Sequence, residues 1–97
     1  MPIFMMFGKY SKEALEKVSP ERTTEAIEIV KRNDGKVVSM YAVVGEDDLV
    51  FTLDLPDTEV ALAVSLALGK LTGISFRTSP VVDVEQFDRL LSEVKDL

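Results

Sequence analysis

Hydrophobic positions alternate along four segments of the chain and recur every three or four residues along the stretches between them. The clearest part is residues 35–55, GKVVSMYAVVGEDDLVFTLDL, which reads as two neighbouring strands joined by an acidic turn at Gly45, Glu46, Asp47 and Asp48. In the first of these, Val37, Ser39, Tyr41 and Val43 alternate with Val38, Met40, Ala42 and Val44. In the second, Leu49, Phe51, Leu53 and Leu55 share one face. A strand over residues 2–10 precedes the pair, with Ile3, Met5 and Phe7 on one side and Phe4, Met6 and Gly8 on the other. A fourth, over residues 74–82, carries Pro80, which suits an edge because proline has no amide hydrogen to give a neighbour.

The intervening stretches read as helices. Ser11 caps a short one through residue 18, and Ser19 with Pro20 restarts it. Thr23, Ala26, Ile27 and Val30 then take the core side, while Glu21, Arg22, Glu25, Glu28 and Arg32 face water. Gly35 is the expected left-handed cap. Asp57 caps a second helix that is apolar almost all the way round from Val60 to Leu68, interrupted by Ser65. A capping-box pattern at Asp83, Val84, Glu85 and Gln86 opens a last helix with the stripe Val84, Phe87, Leu90, Leu91, Val94 and Leu97.

The order β-α-β-β-α-β plus a final helix predicts an α+β, ferredoxin-like domain occupying residues 1–97. Both helices then cover one face of the sheet and leave the other bare. Two strands apolar on both sides do not suit a bare face, so the pattern predicts two sheets packed face to face, a homodimer in the form of a dimeric α+β barrel. The apolar second helix allows a higher oligomer. The alternative is that the C-terminal helix folds back over its own sheet.

Charge and composition narrow the partners. A net charge of −6, with scattered Lys and Arg, excludes nucleic acid as a partner. There is no cysteine and no histidine, which removes thiolate, disulfide, Cys/His-zinc and histidine acid–base chemistry. The first residues lack the basic start of a signal peptide, and the longest apolar run is too short for a membrane span. The expectation is a cytoplasmic protein with no membrane, no metal and no cofactor.

Lys9, Tyr10, Ser39, Tyr41 and Arg77 are polar groups set in otherwise apolar strands and are the candidate ligand-binding residues. Arg77 and Lys9 would hold an anion while a tyrosine hydroxyl or Ser39 orients it. The alternative is that Arg77 pairs with Asp48 or Asp54 and the tyrosines only pack. Glu46, Asp47 and Asp48 offer hard oxygen ligands, but three adjacent carboxylates in a turn point apart, and a solvated turn is the simpler account. No catalytic residue is assigned: Ser39 has no histidine to activate it.

Several segments resemble the GYD-domain family, whose relatives are small dimeric α+β barrel proteins. They are Phe7-Gly8-Lys9-Tyr10, Ser19-Pro20-Glu21-Arg22, Gly35-Lys36-Val37-Val38-Ser39-Met40-Tyr41, Val44-Gly45-Glu46-Asp47-Asp48-Leu49-Val50, Pro56-Asp57 and Phe76-Arg77-Thr78. The family turn usually reads Gly-Glu-Tyr-Asp, and here Asp47 stands in the tyrosine position. The resemblance implies fold and dimer, and no established activity. The expected function is a non-enzymatic homo-oligomer that binds a small anionic or amphipathic molecule or serves as a regulatory module. Two alternatives remain: a cofactor-independent monooxygenase or isomerase, on fold analogy, and a structural partner-binding subunit.

Overall fold

The computed structural model describes residues 2–94, so Leu97, the last position of the C-terminal stripe, lies outside the described residues. Its elements run β1 (Ile3–Lys9), α1 (Lys12–Glu16), α2 (Pro20–Arg32), β2 (Lys36–Ala42), β3 (Leu49–Asp54), α3 (Thr58–Thr72), β4 (Ser75–Val81) and α4 (Val84–Glu93). The four strands form one antiparallel sheet in the order β2-β3-β1-β4. This is the ferredoxin-like α+β arrangement that the order of elements predicts.

Side-chain alternation decides what each face of the sheet meets. Phe4 and Met6 on β1 and Phe51 and Leu53 on β3 are buried beneath α2 and α3, together with Ala26, Val30, Ala61, Val64 and Leu68. Removing these side chains from water is the main stabilising contribution, about 2 kcal/mol for each large one. Among the described residues, no helix lies over the opposite face. There Ile3, Met5 and Phe7 are only half-buried. In register, Tyr41, Val50, Phe7 and Arg77 make one row across this open face, and Ser39, Thr52, Met5 and Ser79 make the next.

The helix signals act as the sequence implies. Ser11, Ser19, Asp57 and Asp83 each accept a backbone N–H in the first turn of the helix that follows. Gly73 ends α3 in the left-handed conformation, at φ 72°. Ser65 bonds back to Ala61 O at 2.7 Å and also meets Thr78 Oγ1 at 2.6 Å, which ties α3 to β4.

Four expectations need correction. The left-handed residue after α2 is Asp34, at φ 61°, and not Gly35. Gly35 is needed for room instead, since a Cβ there would lie 2.5 Å from Leu55 Cδ2 and 3.0 Å from Val30 Cγ1. A bulge between Val37 and Ser39 inserts Val38 and shifts the alternation, so that Val37 and Met40 both pack on the core. β2 also stops at Ala42, short of Val44, and the connection to β3 is closed by Val43 N donating to Asp48 O at 2.9 Å. On α2, Thr23 is exposed and Ile29 packs on the core in its place.

The C-terminal helix settles one alternative. None of the ten residues of α4 is buried, and Val84, Phe87, Leu90, Leu91 and Val94 are all exposed. α4 therefore does not cover its own sheet.

Candidate functional site

Two of the concave regions are bordered by candidate binding residues, one on each side of the sheet. The first lies on the open face beside β1 and β4. Arg77 donates from Nη2 to both carboxylate oxygens of Asp47, at 3.0 and 3.3 Å, and its guanidinium carbon sits 4.9 Å from the centre of the Phe7 ring. Lys9 Nζ donates to the backbone oxygen of Glu46 at 2.8 Å. Phe7, Lys9, Glu46, Asp47, Ser75 and Arg77 border an open depression of about 490 Å³. Both cations here already have partners within the subunit. The partner of Arg77 is Asp47, one residue away from the Asp48 expected, because Asp48 is engaged elsewhere: its Oδ2 accepts from Tyr10 N at 2.9 Å, and its own N–H donates to Gly8 O at 2.8 Å.

The second region is a cavity of about 150 Å³ between the sheet and helices α2 and α3. Its apolar wall includes Phe51, Leu68, Ile74 and Phe76. Phe76 can lie there because its partner across the strands is Gly8, where a Cβ would come within 2.8 Å of the ring. The Phe51 and Phe76 rings stand 5.7 Å apart and tilted, an edge-biased contact favourable to both. Tyr10 and Arg22 bring long polar side chains to the lining, and Tyr41 borders it from β2 although its register places its side chain on the open face. Buried Thr72 also borders it, but its hydroxyl is already used: it donates to Leu68 O at 2.7 Å and accepts from Ile74 N at 3.1 Å.

The five candidate residues are therefore divided. Lys9 and Arg77 share the open-face depression, and Tyr10 and Tyr41 border the inner cavity. Ser39 lies apart from both, opposite Thr52 on the edge strand of the open face. Arg22 was assigned to water by its spacing on α2, yet it is half-buried and lines the cavity. A signal for it existed. A cation in the first turn of a helix opposes the macrodipole, so its position calls for a reason other than helix stability.

A four-stranded sheet with both long helices on one face, and a cavity between the layers, defines a ferredoxin-like α+β subunit. The chain belongs to the GYD-domain family: the model of the GYD domain matches residues 4–91, nearly its whole length. Among solved structures, the chain is similar to the leucine response regulatory protein LrpA of Mycobacterium tuberculosis, with a TM-score of 0.57 and 12% identity over 86% of this chain. A second similar structure, of a glutamate-to-alanine mutant, gives a TM-score of 0.56, also at 12% identity over 86% of this chain. The chain spans about half, 51%, of the length of each of these proteins. At that identity the likeness establishes the fold alone. No curated protein sequence matches the chain. Among the described residues, no helix is long and apolar enough to cross a membrane.

Proposed function

We propose that this protein is a homodimeric, non-catalytic module that binds a small anionic or amphipathic molecule and serves a regulatory role. The observation that carries the reading is the coexistence, in one subunit, of an inner cavity with mixed lining and a sheet face, apolar along its central strand, left without cover. The cavity offers a place for a small molecule. The open face, with Ile3, Met5, Phe7 and Val50 at its centre, offers a place for a second copy.

Face-to-face packing of two such sheets buries the same patch on both subunits, as a two-fold axis requires. The exposed stripe of α4 lies immediately after β4 in the chain and gives the partner a second apolar surface to cover. The similarity of fold to part of a protein named as a leucine response regulator supports a regulatory reading over a catalytic one. So does the engagement of Arg77 and Lys9 in contacts within the subunit, which leaves neither free to act on a substrate at the open face.

Native mass spectrometry of gently purified protein tests the proposal. The expected result is a dimer, or an even-numbered assembly, that retains a defined small mass. A monomer would overturn the assembly, and a dimer that retains no small mass from any preparation would overturn the binder.

A further inference from the structure

We propose that the inner cavity binds a ring-sized monocarboxylate, an apolar body about as large as benzene bearing one anionic group, with Arg22 as the partner of the anion. This rests on the reading of the protein as a small-molecule binder and gives that reading a site and a ligand class.

The size comes from the cavity. The pocket is partly open to solvent; its volume of about 150 Å³ is that of an enclosed apolar protein cavity known to take up benzene, and falls short of what a nucleotide or a drug-sized cofactor fills. The Phe51, Leu68, Ile74 and Phe76 side chains form a wall suited to a flat or compact hydrocarbon.

The charge comes from Arg22. Its guanidinium makes no hydrogen bond or ion pair among the described residues, although its backbone N–H donates to Ser19 Oγ at 3.1 Å. Arg22 as a residue is half-buried, and a guanidinium with five donors and no acceptor is suited to a planar carboxylate. The contrast with Arg77 and Lys9 is direct, since those two cations already have partners. Tyr10 lines the same cavity and brings a hydroxyl able to donate one further hydrogen bond to an anion, whereas the Tyr41 side chain belongs to the open-face row and is exposed. Among the described residues, no carboxylate lines the cavity to compete for Arg22.

The test is a titration of the full-length protein with benzoate and, separately, with neutral benzyl alcohol, followed by amide chemical shifts. Benzoate is expected to shift the amides around Tyr10, Arg22, Leu68 and Thr72. Arg22→Gln is expected to weaken benzoate at least about tenfold, the loss of one charge-assisted contact, while leaving benzyl alcohol unchanged. The spectrum itself reports whether the variant is folded, and Arg22→Lys, which keeps the charge but loses the fork, is expected to fall between the two. Equal affinity for benzoate in Arg22→Gln and wild type would overturn the proposal. Benzoate shifts centred on Phe7, Lys9 and Arg77 would overturn this site while leaving the protein a binder of anions. No shift with either probe would overturn the site as well, and a small mass retained in native mass spectrometry would then show that the broader reading survives.

Discussion

Asp47 holds Arg77 against the Phe7 ring through two contacts from one nitrogen, at 3.0 and 3.3 Å. Asp47 lies in the β2–β3 connection, so the pair ties that connection to β4, across β1. The pair is largely open to solvent on the arginine side, 71% exposed against 24% for the aspartate, so its net worth is small. Asp47→Asn is expected to cost about 0.5–1 kcal/mol in urea unfolding at low salt, and less in high salt. A double-mutant cycle with Arg77→Gln checks that the loss belongs to the pair.

The open face and the buried face make opposite predictions for two phenylalanines on one strand. Phe4→Ala, in the core, is expected to destabilise each subunit by about 3–5 kcal/mol. Phe7→Asp, on the open face, is expected to leave the subunit folded and shift the assembly to monomer. Circular dichroism with light-scattering chromatography separates the two outcomes. An unchanged dimer in Phe7→Asp would remove the sheet face from the interface.

Neighbouring residues after α2 carry opposite backbone demands. Asp34→Gly relieves a left-handed strain and is expected to be neutral or stabilising by up to about 1 kcal/mol. Gly35→Ala drives a methyl into Leu55 and Val30 and is expected to destabilise by about 1–3 kcal/mol. Thermal unfolding of the two variants side by side reads the difference in sign.

Gly8→Ala offers a probe of the inner cavity that leaves every polar group in place. The new methyl must displace Phe76, whose ring it would meet at 2.8 Å. The expected outcome is a loss of about 1–3 kcal/mol in stability together with weaker benzoate binding, measured on the same sample. Retained binding despite the loss of stability would remove Phe76 from the ligand's wall.

Deleting the chain beyond Val82 removes α4, which buries nothing within the subunit. The shortened protein is expected to keep the amide dispersion of the sheet while its dimer dissociates at higher concentration than that of the full chain. Sedimentation at several concentrations makes the comparison.

Much of the fold was legible because strands with one buried face write their pattern plainly. Leu49, Phe51 and Leu53 alternate with less apolar residues, and Phe4 and Met6 fall opposite them in register. The bulge at Val38 was hidden because its neighbour is also valine, and two equal residues carry no sign of which is inserted. The exchange of roles between Asp34 and Gly35 was hidden for a related reason: glycine serves both left-handed turns and close approach, and only the position of Leu55 distinguishes them. At the candidate site, the five polar strand residues were picked out by contrast with their surroundings. Their division between two faces follows from strand register and from the helices above, which no spacing along the chain reveals. Arg22 was misplaced because helical periodicity sorts residues into inside and outside and has no category for the rim of a cavity.

The central position of β1 also sets the order in which this protein comes into being. Its partners on either side are β3 and β4, and the last of these pairs Ile3 with Val81 across most of the chain. Such pairing closes a long loop before any contact offsets the lost entropy, which slows folding. In synthesis β1 precedes both of its neighbours and has no strand to pair with, though apolar on both sides, until β3 and then β4 have been made. The interval is one in which a chaperone has the most to grip, and a chain halted before residue 75 would leave one edge of that strand open.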